Sequence, residues 1–333
     1  MRAAVLHGAN EAVVLEDRPD LMPGPGEAIV ALKAASLNRR DVWIRLGQYA
    51  GLKFPIVLGS DGVGIVESVG DAGREWIGRE VIINPAINWG SHQGSQDQKA
   101  FQILGLPRDG TFSEQVAVPI SNLAEKPAHL TTHEAAALPL AGLTAFRAVS
   151  IRANLQAGEK VLVTGAGGGA ATFAIMFAKA LGGEVYVTTG SDEKLERAKE
   201  IGASGGVNYK DAGWDKKLMD ETGGFDVIVD SAMGENFSKL IELANAGGRI
   251  AFFGATTGNP PEFNSRRVFW KQLSILGTTM GSPSDFAAMV SLVNSKKLRP
   301  TVNVTFPLED ADGALDHLLH ASQFGKIVLE ISE

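Results

Sequence analysis

At 333 residues the chain is longer than a single hydrophobic core usually supports, so two domains are expected. Its 44% apolar and 21% charged residues are ordinary for a globular protein, and a net charge of −7 argues against nucleic acid as the main partner. Cysteine is absent, which excludes disulfides, iron–sulfur clusters, thiol nucleophiles and cysteine-held zinc; with no signal-like N-terminus and no apolar run of about 20 residues, a cytoplasmic protein is expected.

Up to about residue 120, short runs rich in β-branched residues (27–32, 62–69 and 80–83) alternate with Gly, Pro and Asp turn signals. They predict a mostly antiparallel β domain. From about Leu140 the rhythm becomes strand, glycine turn, helix: 160–164 then 170–181, 184–189 then 192–201, and 226–230 then 237–243. Such alternation predicts a parallel sheet covered by helices on both faces. Strands at 249–254 and 273–276 and a helix at 286–293 continue it until about Pro300. A helix over 309–321, acidic at its start and with His317 and His320 near its end, and a strand over 326–331 complete the chain.

The apolar strand KVLVT runs directly into Gly165-Ala166-Gly167-Gly168-Gly169-Ala170 and then an apolar helix. In a dinucleotide site the first glycine makes the sharp turn, the second lets the backbone approach a pyrophosphate, and a small third residue lets helix pack on strand. The helix start adds unpaired N–H groups for the phosphate. An empty Gly-rich turn is the alternative, but strand, turn, helix and second strand stand here in the required order.

An NAD site usually carries Asp or Glu at the end of the second strand, whereas this one ends in Thr189-Gly190-Ser191. With Thr189, Ser191 and Lys194 around that turn, and Arg197 if it faces the same way, the pocket suits NADP(H) ahead of NAD(H). Asp192 and Glu193 oppose this unless they point outward, and a solvated helix face is the plainer role for Lys194 and Arg197.

In order along the chain, Leu37-Asn38-Arg39-Arg40-Asp41-Val42-Trp43, the segment 55–64 (PIVLGSDGVG), the segment 135–145 (AAALPLAGLTA), the GAGGGA turn and Gly325-Lys326-Ile327-Val328-Leu329 resemble the medium-chain dehydrogenase/reductase superfamily, and within it zinc-type alcohol dehydrogenase-like and quinone oxidoreductase-like members. The resemblance implies an α/β protein with a GroES-like β-rich catalytic domain (1–139 and 300–333) and an inserted Rossmann cofactor-binding domain (140–299). It implies further cofactor contacts at Thr144 beside the nicotinamide, at Tyr209 near the adenosine phosphate, and at Gly254, Met280 and Gly281 on later turns. Tyr209 is otherwise an exposed loop tyrosine, and Lys326 either contacts cofactor phosphate or simply begins the last strand. A homodimer joined through the strand near 273–276 is also expected.

Zinc-dependent relatives hold their catalytic metal with cysteine, histidine and cysteine, and the matching positions here are Asn38, Ser60 and Leu140. Asp61 or Asp41 alone does not replace such a set, and the loop 90–101, where relatives carry four structural cysteines, keeps only His92. No metal site is expected. Without a Lewis acid, hydride transfer is easier to an acceptor whose conjugation spreads the incoming charge, a quinone or an α,β-unsaturated carbonyl. Asn38 is the first candidate to donate a hydrogen bond to the developing oxyanion. Tyr49 either donates a proton or lines the site, and Asp41 either orients a donor or fixes the arginine-rich turn. Two other readings stand beside this one: an NADPH-binding sensor or scaffold without turnover, and a zinc-free alcohol or aldehyde oxidoreductase.

Overall fold

The computed structural model describes residues 1–320 and 323–332. The chain forms two compact units, Met1–Leu143 with Gly281–Glu333, and Thr144–Met280. Ala321, the last residue of the helix expected at 309–321, lies outside the described residues, within which the helix runs Ala311–Leu319. Among the described residues no helix is long and apolar enough to cross a membrane.

The first unit is β-rich. Its main sheet centres on Glu27–Ser36, which pairs antiparallel with Asp61–Val69, Gln115–Pro119 and Lys326–Glu330, and Lys326–Glu330 in turn pairs parallel with Val302–Pro307. Glu27–Ser36 buries seven of its ten residues instead of alternating strictly, because both faces of this stretch are covered. Where its register shifts against Asp61–Val69, a Cβ on Gly64 would lie 2.0 Å from the Ala31 carbonyl oxygen, so glycine alone fits there. Leu6, Leu32, Ile44, Ile56, Phe112 and Leu329 sit in its core.

Register decides what gathers at one end of this sheet. Ser36 faces Asp61 on one side and Val328 on the other. The end of one strand, the start of the second and the start of the third therefore meet, and the helix Arg39–Arg45 leaves from the same point. The helix Pro283–Lys296, expected in the inserted domain, falls in this first unit: Ser284 at its start donates to Gln93 Oε1 (2.6 Å). Helical periodicity shows that a face is buried but not which sheet receives it.

The second unit carries a six-stranded parallel sheet in the order Gly205–Asn208, Glu184–Thr189, Lys160–Val163, Phe225–Asp230, Ala244–Phe252, Ser274–Gly277. Numbered along the chain this is 3-2-1-4-5-6, the doubly wound order of dinucleotide-binding folds. Its strands are runs such as KVLV and FDVIVD, buried along most of their length as parallel strands are. The order reverses between Lys160–Val163 and Phe225–Asp230, and a crevice opens beyond the carboxyl ends of strands at such a switch point.

Candidate active site

Beyond Lys160–Val163 the chain turns through Gly165 at φ +66° and Gly167 at φ +118°, both in the region side chains resist. Thr189 Oγ1 donates to Ala166 O (3.1 Å) and Ala166 N–H to Thr188 O (2.8 Å), which tie the turn to the second strand. The helix Gly169–Ala180 follows, capped at Gly168, and its first i→i−4 bond is Thr172 N–H to Gly168 O (3.0 Å). The amides of Gly169, Ala170 and Ala171 precede that bond. A Cβ on Gly168 would meet only Gly165 O at 3.6 Å, so the turn is open to a closely approaching group. These features fit a pyrophosphate, held by backbone N–H groups at a helix start.

At the end of the second strand, Tyr209 and Lys210 fold over the turn. A Cβ on Gly190 would stand 2.6 Å from Tyr209 Oη and 3.2 Å from Lys210 Cε. Ser191 caps the helix Asp192–Glu200, its hydroxyl accepting from Lys194 N–H, while Asp192 accepts from Asn208 Nδ2 (3.0 Å). Lys194 is half-buried and its ammonium sits below the usual lysine range; burial is the largest cause, Arg197 and Lys210 add repulsion, and Glu193 opposes them. Lys194, Arg197 and Lys210 thus form a cationic group beside the second strand's end. Lys210 went unnoticed in the sequence, although it follows Tyr209 directly.

In the first unit the strand ends bring together a buried polar cluster. Asp61, fully buried, accepts from Ser36 Oγ (2.8 Å), Asn38 Nδ2 (2.8 Å) and Lys326 Nζ (3.0 Å) on Oδ2, and from Leu140 N–H (2.7 Å) on Oδ1. Asp41, also fully buried, accepts the Asn38 N–H (2.7 Å) on Oδ2, and its Oδ1 has no hydrogen-bond partner among the described residues. Its pKa is pushed up to about 6, by burial first, with Asp61 adding and Arg40, the Asn38 amide and Lys326 opposing. Arg40 Nη1 donates to Ser60 Oγ (2.7 Å) and Leu104 O (2.8 Å), and its guanidinium lies 5.2 Å from the centre of the Tyr49 ring.

This chemistry does not fit a zinc ion. Of the three positions that match the metal ligands of zinc-dependent relatives, Asn38 receives the Lys326 ammonium, Ser60 receives the Arg40 guanidinium, and Leu140 offers only an apolar side chain. Two fixed cations already stand against the oxygens a divalent ion would need. The loop 90–101 is organised instead by Trp89 edge-on to Phe101 (5.4 Å between centroids) and by Asp97, which accepts from Lys99 and Ala100 N–H.

Several expected residues have other placements. Lys326 gives no hand to a phosphate: its Nζ is enclosed by Leu37 O (2.7 Å), Asn38 Oδ1 (2.7 Å) and Asp61 Oδ2, because the start of the strand Lys326–Glu330 faces the interior. Thr189 is buried, with its hydroxyl turned to the glycine turn and not outward. Thr144 and Met280 come together in the second unit, with Oγ1 and Sδ 4.0 Å apart and Met280 at φ +47°. Gly254 lies tight against the backbone, where a Cβ would stand 2.8 Å from Ser231 O, whereas Gly281 belongs to the first unit. Asp61 as the centre of the cluster, Ser36, and the bond from Thr164 Oγ1 to Asp230 were not foreseen.

Comparison with known proteins matches residues 24–128 to the alcohol dehydrogenase GroES-like domain and residues 169–295 to the zinc-binding dehydrogenase family. Over 329 residues, covering 93% of this chain and 92% of the relative, the chain is 35% identical to the zinc-type alcohol dehydrogenase-like protein YogA of Leptosphaeria maculans. It is 29% identical to the quinone oxidoreductase of Mus musculus over 321 residues, 92% of this chain and 90% of that protein. A solved structure described as an NAD-dependent alcohol dehydrogenase superposes with a TM-score of 0.94 at 41% identity, covering 100% of both chains. With a doubly wound nucleotide unit, a GroES-like β unit and relatives along nearly its whole length, the chain belongs to the medium-chain dehydrogenase/reductase superfamily as an oxidoreductase with a nicotinamide dinucleotide-binding fold.

Proposed function

We propose that the protein is a zinc-independent, NADPH-dependent reductase of quinones or α,β-unsaturated carbonyl compounds. The observation that carries this reading is the buried Asn38–Asp61–Lys326 cluster, which sets an amide donor and a fixed ammonium where zinc-dependent relatives hold their metal. Bound NADPH supplies the hydride, and a solvent proton completes the two-electron reduction. The turn 165–170 holds the pyrophosphate, and Lys194, Arg197, Lys210 and Ser191 receive the 2′-phosphate, with Tyr209 beside it. Asn38 donates to the oxygen on which negative charge develops. An acceptor with a conjugated oxygen needs no stronger electrophile than such a donor.

NADPH oxidation with cyclohex-2-enone and 1,4-benzoquinone tests the reading, before and after dialysis against a chelator. Turnover is expected to be unchanged by the chelator, and NADPH is expected to bind at least about 10-fold tighter than NADH, the equivalent of one charge-assisted contact. The double variant Lys194→Ala/Lys210→Ala should lose that margin and leave NADH affinity alone. The solved relative described as NAD-dependent makes the side-by-side titration essential, and tighter NADH binding overturns the NADP assignment. Tight NADPH binding without turnover favours a sensor, and aldehydes outrunning enones favours the alcohol/aldehyde reading.

We further propose a homodimer built on the outer strand Ser274–Gly277, whose second edge has no partner strand among the described residues. Phe269 and Trp270 just before it are 67% and 78% exposed, a large apolar area for a monomer's surface. Sedimentation velocity should give a dimer for the native protein and a monomer for Trp270→Ser. A native monomer would end the proposal.

A further inference from the structure

The side-chain amide of Asn38 has a single tenable orientation. Its Oδ1 accepts from Lys326 Nζ and its Nδ2 donates to Asp61 Oδ2. Turning the amide over would set an NH2 group against an ammonium and an oxygen against a carboxylate, in a cluster almost wholly removed from water. The ammonium is itself fixed, because its three N–H groups have three acceptors: Leu37 O, Asn38 Oδ1 and Asp61 Oδ2. Asp61 is fixed in turn by Ser36 Oγ and Leu140 N–H. These bonds use one of the two Asn38 Nδ2–H groups.

We propose that Lys326 is a positioning residue: together with Asp61 it locks the Asn38 amide so that the remaining Nδ2–H is held ready for the substrate oxyanion. The proposal rests on the reading of Asn38 as oxyanion donor given above. A donor held in advance costs no reorientation when charge appears, which is the source of catalytic advantage in preorganised sites. Lys326 also accounts for the cluster's electrostatics, since its charge balances an Asp61 carboxylate that would otherwise lie buried without a counter-ion.

The test is the double variant Lys326→Met/Asp61→Asn, which removes both charges together and leaves no uncompensated ion, with Lys326→Arg as the charge-conserving variant. Urea unfolding and circular dichroism establish that both fold. With enone as acceptor, kcat of the double variant is expected to fall at least about 10-fold, towards the ~100-fold typical of deleting a donor, while enone KM and NADPH Kd stay within about twofold. Lys326→Arg should recover part of the loss. In parallel, protein labelled with 15N-asparagine, with Asn38→Asp used for assignment, should show a side-chain NH2 pair that exchanges slowly with water in the native protein and rapidly in the double variant. An unchanged kcat in the folded double variant, or slow exchange that persists in it, overturns the proposal. If the native protein reduces no enone or quinone, the reductase reading falls on its own, and the amide signals alone decide whether Lys326 and Asp61 hold Asn38.

Discussion

Replacing Gly167 with valine is expected to weaken dinucleotide binding at least about 100-fold, a loss of about 2.7 kcal/mol. The position is buried in the glycine turn at φ +118°, a backbone conformation that a β-branched residue does not adopt without strain. Relief of that strain must move the segment between Lys160–Val163 and the helix Gly169–Ala180, and with it the amides of Gly169, Ala170 and Ala171 that precede the first helical bond. Both dinucleotides should suffer equally, because the pyrophosphate is common to them, in contrast to the Lys194/Lys210 variant. Fluorescence titration of NADPH and NADH reads the outcome, and affinity within a few-fold of native would show that the turn does not hold the phosphates.

The second large effect concerns Asp41 and pH. Its carboxyl titrates at about 6 in the folded protein, against 3.8 for a free aspartate, chiefly because burial disfavours the charge. A raised pKa means that the folded state holds its proton more tightly than the unfolded state. The favourable contribution is complete below about pH 4 and is lost as pH rises through 6, by up to about 3 kcal/mol. Asp41→Asn removes the ionisation but keeps an oxygen for the Asn38 N–H. Urea unfolding of the two proteins between pH 4 and pH 8 should therefore show the variant gaining relative to the native protein by up to about 3 kcal/mol as pH rises. A difference that does not change with pH would mean that Asp41 is ionised at pH 4 already, or that its charge is fully balanced by Arg40.

The sequence made the nucleotide-binding unit legible because strands such as Lys160–Val163 and Phe225–Asp230 are mostly apolar and the glycine turn stands between strand and helix. The strand Gly205–Asn208 escaped notice since it has only one β-branched residue, Val207. It is a strand because its backbone completes the ladder beside Glu184–Thr189, and Gly206 is required there, where a Cβ would lie 2.3 Å from Val187 O. Asn38 and Asp41 were singled out from a local motif, but their setting was invisible. Asp61 and Lys326 are 265 positions apart, and only strand register sets them side by side. Lys326 was read as a phosphate contact or a strand start because adjacency in sequence carries no information about which way a strand's first side chain turns.

The central sheet of the β unit also dictates an order of events during synthesis. Lys326–Glu330 lies between Glu27–Ser36 and Val302–Pro307, and Lys326 follows Leu37, the first of its acceptors, by 289 positions. A nascent chain emerging from the ribosome must therefore carry a half-built sheet, with the Asp61 carboxylate lacking its cation, while the whole nucleotide-binding unit is translated. That intervening unit draws on its own residues for its sheet, so it is free to fold first, and the β unit closes only after Lys326 has been made.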